Sequence, residues 1–276
     1  MIQNDLSVPG KVLQNFISTK EYNRFVEFAE ACTSYRYIGL CFGEPGVGKS
    51  LAAYHYMKWD DSLCNENAVD KVSPERQKTI ENCKGIIFTA PVYNTPRIIQ
   101  TDLTNRTFGY GRILSKVLGE TDVHKIIIGS RHSCPLVVID EADRLTLGSL
   151  EEVRSLYDEY TFGLILIGMP GVEKKISRYS QLYSRIGFSH EFKKLTPDEM
   201  KFIFPKIWAE LGFTYDEKSF PDVEALNTIV RLTGGNFRLI DRMFSQTSRL
   251  IKINHLKSIT KEVIDAARKC LIIGDN

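Results

Sequence analysis

Three glycines spaced through Gly43-Glu44-Pro45-Gly46-Val47-Gly48, followed by Lys49, Ser50 and Leu51, form a set of groups suited to gripping phosphate. Glycine lets the backbone turn inward, so that successive N–H groups converge on one anion. Lys49 adds a mobile cation for the β- and γ-phosphates of a nucleotide, and the Ser50 hydroxyl is placed to ligate Mg²⁺. A second set is Asp140-Glu141, which ends the apolar run Leu136-Val137-Val138-Ile139. Asp140 would hold Mg²⁺ through water. Glu141 would orient and polarise the water that attacks a γ-phosphate, since phosphoryl transfer depends on positioning more than on covalent chemistry. ATP and Mg²⁺ are the ligands such groups require.

Those side chains need a rigid edge to stand on. Apolar runs at residues 37–42, 85–90, 136–139, 164–168 and 188–192 predict five strands. Runs apolar on both faces, separated by helices, indicate a parallel sheet covered on each side. The phosphate loop then lies between the first strand and the helix Leu51–Met57, whose positive end faces the anion. Carboxylates at the end of the 136–139 strand stand at the edge where α/β proteins bind ligands.

The intervening helices are predicted from capping and periodicity. Ser18 and Glu21 have capping-box spacing and open a helix over 19–33. Residues 96–118 read as helix with an interruption at Gly109-Tyr110-Gly111, and Thr121 starts another that runs to about Ile128. Helix follows at 147–160, and a basic helix near 171–185. Residues 1–17 form a polar leader containing Pro9-Gly10, and the stretch from Asp60 to Cys83 is polar and broken by Pro74. After Thr196-Pro197 strand signals vanish, and four helical patterns remain near 197–211, 222–233, 236–252 and 260–271. The expected division is a leader and helix over 1–34, an α/β core over 35–195 and a helical domain over 196–276.

Two further segments carry arginines: Gln181-Leu182-Tyr183-Ser184-Arg185-Ile186-Gly187 and Leu232-Thr233-Gly234-Gly235-Asn236-Phe237-Arg238. Arginines at helix ends are common, and each gains meaning only from order and spacing. In that order the four segments resemble an AAA+ ATPase. The resemblance implies a three-layer α/β/α domain with a five-stranded parallel sheet and a small C-terminal helical lid. It matches Arg185 to the arginine finger that reaches a neighbouring subunit's γ-phosphate, with Arg178 as the alternative, and Arg238 to the second sensor arginine of the lid. The strand between Lys49 and Asp140 indicates the extra-strand subclass. There is one departure: Gly168-Met169-Pro170 stands where the family carries Asn or Thr as first sensor, which implies slow or partner-stimulated hydrolysis.

Within that superfamily, the phosphate loop, Leu166-Ile167-Gly168-Met169-Pro170 with its basic helix, and Thr233-Gly234-Gly235-Asn236-Phe237-Arg238 resemble the transposition regulators of the TniB, TnsC, MuB and IstB group. The compact form is similar to those of CRISPR-associated transposons. The resemblance implies an ATP-dependent oligomer, ring or filament, that binds duplex DNA and recruits or activates a transposase with target-selection proteins. A replication helicase loader, or a nucleotide switch that never touches DNA, are the alternatives.

Composition bounds these expectations. Thirty-six basic and 34 acidic residues leave a net charge of +2, so any nucleic-acid surface must be local. The resemblance implies that the segments after the second strand face the central pore of a spiral, and there they supply candidates for backbone contact in Arg97, Thr104, Asn105, Arg106, Arg112, Lys116, Thr121 and Lys125. Thr121 at a helix start could hold a phosphate. No C-x-x-C pairing occurs among the six cysteines, which read as small hydrophobes. No 18-residue apolar run appears, and the expected location is the cytoplasm, without a membrane.

Overall fold

The computed structural model describes residues 16–59, 74–130 and 132–271; residues 1–15 of the expected leader and 60–73 of the polar stretch expected over 60–83 lie outside them. Five strands form one parallel sheet: β1 Ile38–Phe42, β2 Ile86–Thr89, β3 Leu136–Asp140, β4 Gly163–Gly168 and β5 Ile186–Glu191, in the order β2-β3-β4-β1-β5. Every residue of β3 and β4 is buried. Strands covered on both faces need a helical layer on each, which gives the expected three-layer α/β/α fold. Val137, Val138, Ile139, Leu164, Ile165, Leu166 and Ile167 are all fully buried. Truncating any of the leucines or isoleucines to alanine would cost about 2–5 kcal/mol.

Two compact units divide the chain. The sheet unit holds residues 22–44 and 49–192. The helical unit holds the described residues from Lys193 onward, the loop tip Pro45–Gly48 and residues 16–21.

Helix α1 spans Lys20–Tyr35 and was expected to stand apart with the leader. From Tyr22 onward it belongs to the sheet unit instead, because Phe25 and Phe28 bury their rings against His190 of β5 at 6.3 and 5.6 Å. The phosphate loop leads into α2, Lys49–Met57. Next come α3, Pro74–Glu81, and α4, Pro96–Val117. The expected break of α4 at Gly109–Gly111 is absent. Gly111 serves packing there, for a Cβ would come within 2.6 Å of the Ser130 backbone on α5, Val123–Ser130.

Helix α5 begins at Val123, not at Thr121. The Asp122 carboxylate accepts from the His124 N–H at 2.8 Å, and Glu120 Oε1 accepts from the N–H groups of Thr121 and Asp122 at 3.0 Å each. Carboxylates therefore occupy the positive end that was expected to attract a phosphate.

Helix α6 covers Leu147–Tyr160 as expected. The single basic helix expected over 171–185 is two short ones, α7 Val172–Ser177 and α8 Ser180–Tyr183, parted by Tyr179 at φ −113° and ψ 84°. β5 starts two residues early, with a register shift that pairs Ile38 with Ile186 but Gly39 with Phe188.

The helical unit packs α9 Pro197–Glu210, α10 Phe220–Thr233, α11 Phe237–Asn254 and α12 Lys261–Lys269 around Phe204, Trp208, Met243, Phe244 and Ile264. Thr196 and Glu199 close a capping box on α9. Among the described residues no helix is long and apolar enough to cross a membrane. Burial pushes the thiols of Cys32 and Cys134 up to about 12, which keeps both inert.

Candidate nucleotide site

β1 delivers the chain to Gly43 and the loop returns it as α2 at Lys49, with Gly46 at φ 84° and Gly48 at φ 110°. Both angles lie in the region that side chains avoid. The Lys49 ammonium, on a side chain that is 8% exposed, donates to the carbonyls of Gly43 at 2.6 Å and Glu44 at 2.9 Å. A cation held at the mouth of an N–H-lined loop fits an incoming phosphate, which offers it stronger acceptors than two neutral carbonyls. Ser50 is exposed in the first turn of α2, beside the half-exposed Leu51.

Within the helical unit the loop tip is tied down. The Arg238 N–H donates to the Gly46 carbonyl at 2.9 Å, and Asn236 Nδ2 donates to the Pro45 carbonyl at 2.9 Å. A Cβ on Gly46 would meet Asn236 Oδ1 at 2.5 Å. The Arg238 side chain is exposed and makes no hydrogen bond or ion pair among the described residues. Asn236 was quoted in the sequence motif without a role; its tether to the loop depends on a contact 191 residues distant in sequence.

β3 brings Asp140 to the same edge of the sheet, since all five strands run parallel and only β4 separates β3 from β1. The Asp140 side chain is buried, and Oδ1 accepts from the Glu141 N–H at 2.9 Å. Glu141 turns the chain left-handed at φ 56° into a short 3₁₀ turn, Ala142–Arg144. Its carboxylate pairs with Arg144 at 2.5 Å. Among the described residues no group of three or more His, Cys, Asp or Glu side chains stands ready for a metal. Ser50 and Asp140 fit Mg²⁺ in its usual setting, where most ligands are phosphate oxygens and water.

At the tip of β4, Met169 is 40% exposed, and its N–H donates to Asp143 Oδ1 at 3.2 Å. Lys175 donates to the Asp143 carbonyl at 2.6 Å. The polar side chain bonded to this tip is thus Asp143, outside the position where a first sensor was expected.

Arg185 is held within its own chain. Its Nε and Nη2 donate to the two oxygens of Asp158 at 2.8 and 2.9 Å, and Nη1 donates to the Gln181 carbonyl. Asp158 also pairs with Arg154, which pairs in turn with Glu151. Arg178 is exposed, with no hydrogen bond or ion pair among the described residues. The Arg154–Asp158 spacing of four was readable as a helix pair, but nothing local marked Asp158 as a partner of Arg185.

The candidate DNA contacts do not share one face. At about 100° per residue, Arg97 and Thr104 lie together on α4 while Arg106 lies nearly opposite. The Arg106 guanidinium sits 5.5 Å over the Phe88 ring, and Lys116 is half-buried. Arg97, Thr121 and Lys125 are exposed.

A family model described as AAA domain matches residues 32–176. A "Potential ATP-binding protein" of Staphylococcus aureus is 42% identical over 272 residues, 95% of this chain and 98% of that protein. The "ATP-dependent target DNA activator B" of Escherichia phage Mu is 27% identical over 196 residues, 65% of this chain and 55% of that protein, so the chain spans about half the length of that relative. Among solved structures, the Thermotoga maritima RuvB Holliday junction branch migration motor has a TM-score of 0.58 at 17% identity, covering 96% of this chain and 73% of that one, a likeness of fold.

Proposed function

The chain belongs to the AAA-domain family of ATPase-type nucleotide-binding proteins, and from that premise we propose that it is an ATP-dependent regulator of DNA transposition that assembles on duplex DNA. The observation that carries the chemistry is the placement of the Lys49 loop and the Asp140-Glu141 pair on one edge of a parallel sheet, flanking β4. The transposition assignment is supported by the name of the phage Mu relative.

In this proposal residues 43–51 bind ATP. Backbone N–H groups of the loop and Lys49 take the phosphates. Ser50 and Asp140 would hold Mg²⁺, which would neutralise charge on the phosphate oxygens. Glu141 orients the attacking water and accepts its proton. Arg185 of an adjacent protomer adds positive charge at the γ-phosphate, and Arg238 acts from the lid. A neighbour is therefore needed to complete the site, and hydrolysis follows assembly. Met169 at the β4 tip offers no side-chain donor to the water, which favours a slow reaction raised by partners.

DNA contact in this scheme is to the backbone, by Arg97 and Thr104 on one face of α4 and Lys125 on α5, repeated along an oligomer. Many modest contacts then add by multivalency. The occupied assembly recruits or activates a transposase together with target-selection proteins. The test is fluorescence anisotropy on two unrelated duplexes, with ATP or a slowly hydrolysed analogue, across a salt series. Binding should require nucleotide, be alike on both duplexes and weaken with salt by about 0.9 log units per log unit for each phosphate neutralised. No binding to either duplex would refute the assignment.

A further inference from the structure

Helix α6 carries Glu152, Ser155 and Glu159, and helix α11 carries Arg242, Ser245 and Arg249. Both triplets have the spacing i, i+3, i+7. That confines each to about 60° of its helix and sets the two charges about 10.5 Å apart, with a small residue between them. Arg242, Arg249 and Glu159 are exposed and Glu152 is half-buried; none of the four makes a hydrogen bond or ion pair among the described residues. Charges close by on the same helices do not answer them. Arg154 of α6 is taken by Glu151 and Asp158. On α11 the one carboxylate is Asp241, which stands about 100° around the helix from Arg242. Each row thus has no counter-charge among the described residues, and the other row matches it in spacing and central small residue, with opposite sign.

The residues beside the rows fix which ends meet. Glu159 follows Asp158, whose carboxylate holds Arg185. Arg242 lies one turn after Arg238, whose N–H donates to the Gly46 carbonyl of the phosphate loop. Arg185 of one copy and Arg238 of the next are both assigned to one bound nucleotide, so α6 and α11 of adjacent copies come together around it. We propose that α6 of one copy docks antiparallel on α11 of a second copy, with Glu159 on Arg242 and Glu152 on Arg249. Ser155 and Ser245 at the centre let the two helices approach closely. The two surfaces differ, so every copy offers one of each and the contact repeats head to tail into a ring or filament. This docking rests on the Arg185 and Arg238 assignments above and adds Glu152, Glu159, Arg242 and Arg249 to them.

The experiment follows assembly by light scattering, with a slowly hydrolysed ATP analogue and a duplex, beside ATP turnover. Glu152→Lys/Glu159→Lys and Arg242→Glu/Arg249→Glu each set like charges face to face at every contact. Each should raise the protein concentration needed for half-assembly more than about tenfold. Mixed in equal amounts, the two variants should assemble again, because alternating copies restore opposite charges at both of their contacts. A chain carrying all four reversals should assemble by itself. Turnover should return with assembly in both cases. Binding of the analogue by dilute protein shows that each variant is folded.

A mixture and a fourfold reversal that both stay dispersed would overturn the docking. So would loss of assembly by Arg242→Glu/Arg249→Glu alone, with no recovery on mixing, which would give α11 to DNA instead. Double variants that assemble normally, while Arg185→Ala still abolishes turnover, overturn the docking and leave the finger standing. Assembly rescued by reversal, with Arg185→Ala at full turnover, supports the docking and refutes the finger. A wild type that assembles under no condition brings down both.

Discussion

Changing Arg185 to Ala removes the charge assigned to the neighbour's γ-phosphate, and the structure sets the scale of what must happen first. Arg185 has to leave Asp158, to which it is bound by two hydrogen bonds at 2.8 and 2.9 Å. Both side chains are about one-third exposed, at 34% and 35%. A pair this wet contributes about 0.2–1 kcal/mol, a factor of about five at most. An arginine finger supplies a rate factor of about 10³–10⁵, which is about 4–7 kcal/mol. The gain exceeds the cost several times over, so pairing in the protomer does not bar the residue from acting in trans. Arg185→Ala should lower kcat at least a thousandfold in the assembled protein, whereas Asp158→Ala should change it by less than about fivefold.

The assay is ATP turnover at concentrations where light scattering shows assembly. Mixing Arg185→Ala with Glu141→Gln, each inactive alone, should recover turnover at interfaces that join an intact Glu141 to an intact Arg185. An Asp158→Ala variant as damaged as Arg185→Ala would show that the pair is structural. Mixed oligomers without recovery would refute the finger and direct attention to Arg178.

Lys49→Ala should abolish ATP binding, while Glu141→Gln should keep binding and lose hydrolysis; isothermal titration beside turnover separates the two, and equal loss of binding would contradict the roles. Gly85 stands at φ 136°, where a Cβ would lie 2.0 Å from the Leu136 carbonyl oxygen. Gly85→Ala should therefore cost about 2–4 kcal/mol in urea unfolding, and a cost below about 0.5 would show that β2 and β3 shift apart freely. Arg97→Ala with Lys125→Ala should lower both DNA affinity and its salt slope by about two contacts, without the packing loss that Arg106→Ala would add through Phe88. Burial and the nearby Lys58 hold the His55 imidazole below its ordinary value of 6.5. The folded state thus disfavours His55 protonation, and stability present above pH 6.5 should fall as acid protonates it; His55→Gln should flatten that part of a melting-temperature profile.

The phosphate loop, the Asp140-Glu141 pair and the five apolar runs were legible because each is local: a glycine spacing, a carboxylate after a strand, and in β1 to β4 four to six buried residues in a row, whereas β5 alternates between half-buried and exposed. What depended on distant neighbours was not. Gly109-Tyr110-Gly111 looks like a break until Ser130 packs against Gly111. Thr121 has the hydroxyl of a cap, yet the Asp122 and Glu120 carboxylates accept from the N–H groups there. The basic run over 171–185 hides a change of direction at Tyr179 that no proline or glycine announces. Pairings such as Asp158 with Arg185, or Arg144 with the Ala90 carbonyl, join separate elements, and periodicity within one helix or strand carries no trace of them.

The strand order has a consequence for biosynthesis. β1 emerges first, yet its partners are β4 and β5, with Ile38 beside Leu164 and Ile186. At about 5–20 residues per second, the ribosome needs on the order of ten seconds to supply them. Through that interval the nascent segment Ile38-Gly39-Leu40-Cys41-Phe42 has no sheet to join. Such a segment is a natural ligand for a co-translational chaperone, and translation pauses before Gly163 should lower the yield of soluble protein more than pauses after Glu191.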